Sequence, residues 1–352
     1  MRQKLEMQAD RIEAVLAAHK VQGAVWGGTV TPRFTRFQVM TASGTAVSRV
    51  TGLEEEVAQG LGVPAVRMYR QNGVIQVEVP RSEAPPELRL MRMVATLKKR
   101  PPAGTALLGT DLEGLPLLLR VTSPDVVHVL VAGMTGSGKT VLMRSLLASL
   151  AMFNSPQDLR MLLIDPKGGR GLGSLAALPH AVGPAATTAE MGGAALLDAV
   201  EKMERRDAEH VSRPLLVVAI DELVDLLDVG GSQVEQAVRR LAQRGREAGI
   251  HLVAGTQKPA ASAIGGLLKA NFPVRLVGSV ASPEDAKVAA GISGTGAEKL
   301  LGRGDFLLVG AGQVIRFQAA LVTEGEVGEV GSGALGVGLR QAQPATMAAM
   351  TG

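Results

Sequence analysis

Apolar residues recur at helical spacing over the first twenty positions, with Leu5, Ile12, Val15 and Leu16 in step, so the chain opens on an amphipathic helix. From Val21 to Pro80 the rhythm shortens. Runs such as FTRFQVM and GVIQVEVP, separated by Gly, Asn and Pro, predict strands, and residues 53–60 fit a helix between them. Residues 80–104 carry proline pairs at both ends and the basic run 98–100, and predict a connector around one short helix. From Ala106 onward the pattern changes again. VVHVLVAG, MLLIDP, LLVVAID, HLVAGTQ, VRLVGSV and FLLVG are continuous apolar runs, with helical segments between most of them. Uninterrupted hydrophobicity suits strands covered on both faces, which predicts an α/β domain with a mainly parallel sheet. VIRFQAALV follows a tight Gly-Ala-Gly turn and is expected to form a hairpin at the sheet edge. The expected division is a small α+β module over 1–100, an α/β domain over 101–325 and a loose tail over 326–352.

Composition narrows the class. The 352 residues, 46% hydrophobic and 20% charged, describe a globular chain with room for about two domains. No apolar run approaches the roughly 18 residues of a membrane span, and the charged N-terminus is not a secretory signal. With no cysteine, disulfides, zinc fingers, thiolate catalysis and iron–sulfur clusters are excluded. A cytoplasmic protein is the simplest expectation. The first 110 residues hold 15 basic and 9 acidic side chains, an excess that points to an anionic partner near the N-terminal part. Only eight aromatic residues are present, too few for a protein that grips single strands by stacking bases.

The chemistry begins at Gly133-Met134-Thr135-Gly136-Ser137-Gly138-Lys139-Thr140, a complete G-x-x-x-x-G-K-[ST] with an apolar run before it and a helical pattern after it. Glycines let backbone N–H groups turn inward around phosphate, and the helix N-terminus adds positive potential. Lys139 would reach the β- and γ-phosphates of ATP, and Thr140 would ligate Mg²⁺. The run LLVVAI ends in Asp221 and Glu222: the first would hold the metal shell, the second would polarise water against the γ-phosphate. The same pair of acids also suits a helix N-cap. Gln257 ends the strand expected beside that of Asp221, either sensing the γ-phosphate or capping its strand. Asp165, before a proline, either serves the site or only terminates its strand. The segment QAVRRLAQRGREAG carries Arg239, Arg240, Arg244 and Arg246, which are either solvated surface or a source of a guanidinium for a neighbouring subunit. The five histidines show no metal-ligand spacing.

With these residues in place, the chain resembles the motor portion of the FtsK/SpoIIIE family of hexameric double-stranded DNA translocases. HVLVAGMTGSGKT, LLIDPKGG, LPHAVGP, KMERR, VVAIDELVDLL, RLAQRGREAGIHLVAGTQKP, GLLKANFPVRLVGSV and LLGRGDFLLVG are similar to family blocks in family order. VTPRFTRFQV, SRVTGLEEEVAQGLG and IQVEVP are similar to the small module ahead of that motor, so the likeness covers about residues 5–325. It implies a RecA-like P-loop NTPase core with a mainly parallel sheet, preceded by a small α+β module. It implies ATP and Mg²⁺ as cofactors, double-stranded DNA as partner and a homo-oligomeric, six-membered ring. Arg246 falls at the family's trans-acting arginine finger. Lys258 and Lys269 match positions that touch the DNA backbone in the pore, contacts that position a duplex without reading its sequence. The family's S-S-x-x-D-S-R block stands here as Ala281-Ser-Pro-Glu-Asp-Ala-Lys287, in which Lys287 takes the place of the arginine. The segment between Arg206 and Leu215 is shorter than in the cell-division members, and neither membrane spans nor a C-terminal winged-helix module is expected. The alternative is an ATPase of conjugation or secretion type that recruits a partner instead of pumping DNA.

Overall fold

In the computed structural model, residues 2–31, 34–71, 73–81, 87–257, 266 and 271–331 are described. They divide into two compact units, one of residues 1–86 with 112–114 and one of 87–111 with 115–352.

The first unit begins with α1 (Arg2–Ala18) and continues through β1 (Gly23–Val30), β2 (Phe34–Thr41), α2 (Val47–Thr51), α3 (Glu54–Leu61), β3 (Arg67–Gln71) and β4 (Val74–Pro80). The strands form an antiparallel sheet in the order β1-β2-β4-β3. Alternation sorts its two faces. Phe37 and Val39 pair with Val77 and Ile75 and bury against Ile12, Leu16, Val57 and Leu61. On the other face Arg36 pairs with Glu78, which also lies opposite Arg67. Glu78 is buried, stands 3.5 Å from the Arg36 guanidinium, and accepts a 2.8 Å hydrogen bond from the Tyr69 hydroxyl. Burial, and then the Glu78 charge, push the Tyr69 phenol up to about 12.

The second unit holds α4 (Leu90–Thr96), β5 (Thr105–Asp111), β6 (Pro116–Arg120), β7 (Val129–Ala132), α5 (Lys139–Phe153) and β8 (Leu159–Ile164). Then follow α6 (Ala189–Glu209), β9 (Leu215–Ile220), α7 (Leu223–Arg244), β10 (Ile250–Thr256) and β11 (Val274–Val277). The last elements are α8 (Pro283–Ala290), β12 (Asp305–Gly310), β13 (Gln313–Ala319) and α9 (Glu324–Gly331). The sheet order is β6-β5-β13-β12-β11-β7-β10-β9-β8, with β11, β7, β10, β9 and β8 parallel to one another. This is the expected α/β core with its parallel strands around β7, preceded by a small α+β module.

Strict burial along β9 explains why its sequence does not alternate. Val217 and Ala219 enter a core with Leu142, Leu146 and Leu163, while Leu216, Val218 and Ile220 enter another with Met203, Val238 and Leu241. Both faces are dry. The expected hairpin forms as β12 and β13 around residues 310–312, but not at the edge: β5 pairs with β13, and β6 lies outside β5. Among the described residues, no helix is long and apolar enough to cross a membrane. Of the expected tail, residues 326–331 belong to α9 and residues 332–352 lie outside the described residues.

Candidate nucleotide site

β7 ends at Ala132, and the next six residues turn the chain into α5. The turn needs glycine. Gly136 and Gly138 have φ of 86° and 97°, and a Cβ on Gly138 would lie 2.8 Å from the Gly304 nitrogen. Backbone bonds fix the loop from several sides. Gly133 N–H donates to the Thr256 carbonyl (3.2 Å), Met134 N–H to that of Ser279 (2.9 Å), and the N–H groups of Arg303 and Gly304 donate to the carbonyls of Gly136 and Ser137 (3.0 and 2.8 Å). Ser137 is fully buried, and its hydroxyl has no hydrogen-bond partner among the described residues.

Lys139 and Thr140 open α5 and meet at the end of β9. Lys139 Nζ donates to Asp221 Oδ1 at 2.9 Å and also to the Asp221 main-chain carbonyl. Thr140 Oγ1 donates to the same Oδ1 at 3.2 Å. Glu222 stands at the N-terminal flank of α7 in extended backbone, yet its carboxylate makes no capping bond to that helix. It faces the site instead. Its Oε1 accepts from the Gln257 N–H (3.0 Å), and its Oε2 lies 3.2 Å from Lys167 Nζ and 4.0 Å from Lys139 Nζ. Gln257 also reaches the loop through its side chain, whose Oε1 accepts from Thr135 Oγ1 at 3.2 Å. Loop, lysine, threonine, two carboxylates and glutamine thus converge, and Asp221, Glu222 and Lys139 are all nearly dry.

Two contributors were not singled out by spacing. Asp165, fully buried at the end of β8, accepts from the N–H groups of Lys167 (3.2 Å), Gly171 (2.7 Å) and Leu172 (2.9 Å). It therefore does more than end its strand: it folds the Gly-rich segment 167–172 against Thr140 and Asp221. The ammonium of Lys167 is partly buried, which lowers its pKa, but Glu222, Asp225 and Asp221 together hold it above the ordinary lysine value. The signal was the PKGGRG run after a strand, legible as a loop but not as one that returns to the site.

The arginines separate. Arg239, Arg240 and Arg244 on α7 pair with Glu235 (2.6 Å), Glu204 and Asp207 (2.8 Å), whereas Arg246 is exposed in the turn after α7 with no ion pair among the described residues. That turn enters the N-terminal end of β10, while Thr256, at the other end, pairs with Ala132 beside the glycine loop. Seven strand residues, roughly 20 Å of extended chain, separate Arg246 from its own chain's glycine loop. Lys287 is exposed on α8, which Ser282 caps by accepting from the Asp285 N–H. Lys258 and Lys269 lie outside the described residues.

The profile of the FtsK/SpoIIIE family matches residues 87–210 and 207–261, and that of the FtsK alpha domain matches residues 1–81. The DNA translocase SftA of Bacillus subtilis (strain 168) is 36% identical over 353 residues, covering 93% of this chain and 37% of that protein. The DNA translocase FtsK of Caldanaerobacter subterraneus subsp. tengcongensis is 36% identical over 345 residues, covering 91% of this chain and 48% of that protein. The chain therefore spans less than half the length of these relatives. Among solved structures, the pCW3 conjugation coupling protein TcpA in its monomer form with ATPgS superimposes with a TM-score of 0.62 at 18% identity, covering 92% of this chain and 98% of that one. The cytoplasmic domain of the Thermomonospora curvata type VII secretion ATPase EccC gives 0.56 at 25% identity, over 66% of this chain and 30% of that one.

Proposed function

We propose, on the premise that this chain belongs to the FtsK/SpoIIIE family, that it is an ATP-driven translocase of double-stranded DNA acting as a homo-oligomeric, six-membered ring. The meeting of Lys139 and Thr140 on Asp221, with Glu222 beside them, carries this reading. Residues 133–138 would wrap the triphosphate with backbone N–H groups, helped by the positive end of α5. Lys139 would exchange its bond to Asp221 for the β- and γ-phosphates. Thr140 and Asp221 present hydroxyl and carboxylate oxygens side by side, the hard donors that Mg²⁺ takes, so both would hold the ion. When bound, Mg²⁺ neutralises phosphate charge. Glu222, anchored on the Gln257 N–H, would orient and deprotonate the attacking water, and the Gln257 side chain would register the γ-phosphate.

Arg246 is at the wrong end of β10 to serve its own site, which supports a role on the site of the next subunit, where it would stabilise transition-state charge. Lys258, Lys269 and Lys287 would contact the DNA backbone from the pore. Purified protein should hydrolyse ATP several-fold faster with long duplex DNA, about the least that a DNA-coupled motor requires. Lys139→Ala should abolish hydrolysis, and Arg246→Ala should abolish it with nucleotide binding intact. A monomer that hydrolyses ATP equally well without DNA would overturn the proposal. DNA binding that ignores salt between roughly 50 and 200 mM would favour the partner-recruiting alternative, because phosphate contacts weaken with salt.

A further inference from the structure

Arg206, near the end of α6, is a buried cation. Its residue is 6% exposed, and its Nη1 and Nη2 donate to the main-chain carbonyls of Ala248 (2.8 Å) and Pro214 (2.7 Å). Among the described residues it has no carboxylate partner, and burial lowers its pKa. For a desolvated guanidinium spent on two neutral carbonyls, the cost of burial roughly cancels the return of two charge-assisted bonds, so the net gain in stability is small. What it does secure is a position.

Ala248 belongs to the turn of residues 245–249, closed by the Ile250 N–H to the Gly245 carbonyl (2.7 Å) and the Gly249 N–H to the Arg246 carbonyl (3.1 Å). Arg246 sits in that turn. On its far side Gly249, at φ 67°, packs against the Ser212 carbonyl so closely that a Cβ would overlap it. The guanidinium fork therefore ties the turn, two residues beyond Arg246, to α6 and to the residue that leads into β9. Met203, Val238 and Leu241 pack α6 against α7 in a shared core, and the ion pairs between these helices, Arg240–Glu204 and Arg244–Asp207, are exposed and of the kind that contribute little.

We infer that Arg206 is a positioning residue for Arg246, setting through the Ala248 and Pro214 carbonyls the place from which Arg246 reaches the neighbouring subunit's nucleotide. The inference rests on the reading of Arg246 as a trans-acting residue. Displacing such a group by about 1 Å costs on the order of 10²-fold in rate. The test mixes subunits. Lys139→Ala has no working site but keeps its arginine; Arg246→Ala has a site but no arginine. Their mixture should recover hydrolysis that neither shows alone. Arg206→Met keeps the aliphatic stem and loses both donors. It should bind nucleotide and oligomerise as the parent does, lose about 10²-fold in hydrolysis, and be revived by Lys139→Ala subunits. Arg206→Lys, with one nitrogen where the fork has two, should fall between and covers the case in which the Met variant does not fold. Full activity in either variant overturns the inference. So does loss of nucleotide binding, or a folded but inactive variant that Lys139→Ala does not revive although it revives Arg246→Ala. Failure of the Arg246→Ala mixture itself instead refutes the trans reading, and the inference falls with it.

Discussion

At Gly171 a Cβ would lie 2.7 Å from the Thr140 methyl carbon and 3.1 and 3.2 Å from carboxylate oxygens of Asp221 and Asp165. Gly171→Ala therefore pushes the 167–172 segment off the two residues that meet at the site. Overpacking of this kind costs about 1–3 kcal/mol of stability, so melting should fall, and displacement of Thr140 and Asp221 should weaken nucleotide binding about tenfold in a titration. Glu222→Gln separates binding from chemistry. The amide oxygen can still accept from the Gln257 N–H, but it cannot take a proton, so nucleotide should bind while hydrolysis falls by about 10²–10⁴-fold in a single-turnover assay. Much of this site was legible in the chain: Gly133 to Thr140 by spacing, and Asp221 and Glu222 by their place after an apolar run. Whether Glu222 caps α7 or faces the glycine loop was not, because it depends on Gln257 and Lys167, which only the fold brings near. The service of Asp165 to Gly171 and Leu172 was hidden for a different reason: a buried carboxylate bonded to N–H groups looks, in sequence, like any strand end.

The elements that support the loop set the next scale. Arg303 and Gly304, whose N–H groups brace Gly136 and Ser137, precede β12, and β12 opens on a buried pair. Arg316 of β13 donates to both oxygens of Asp305 (2.9 and 2.7 Å), and Asp305 also accepts from the Leu301 N–H (2.9 Å). Removing the carboxylate takes two charge-assisted bonds from a buried guanidinium, so Asp305→Ala should cost about 3–5 kcal/mol in denaturant unfolding. The six continuous apolar runs all form strands, β7 to β12, because two-sided burial writes itself into composition. The position of the hairpin was less legible. β6 is largely exposed and short, so nothing in its residues announced that β5 and β6 would extend the sheet beyond β13.

Across the second unit as a whole, the end of the sheet remote from the glycine loop carries a pH dependence. His128, at the start of β7, is pushed down to about 4, first by burial and then by the neighbouring His251 ring 6.5 Å away. Its Nδ1 accepts from the Leu252 N–H at 2.9 Å. Well above pH 6.5 neither folded nor unfolded His128 carries a positive charge. As the pH falls from there to about 4, the unfolded chain binds a proton that the folded chain refuses, so stability declines through that window by up to about 3 kcal/mol. Urea midpoints at intervals from pH 7 to 4 should show the decline, and His128→Asn, which keeps an acceptor, should lessen it, the remainder coming from His251 and His180, which burial also holds below the ordinary histidine value. The arrangement of that sheet has one more result. Each molecule has a front, where the glycine loop lies, and a back, where Arg246 lies. Two molecules related by a twofold axis could serve each other only by lying antiparallel, each back beside the other's front. On the proposed reading of Arg246, molecules repeated in one orientation form a procession in which every front meets the back of the one ahead, and a procession either bites its own tail or runs on without limit.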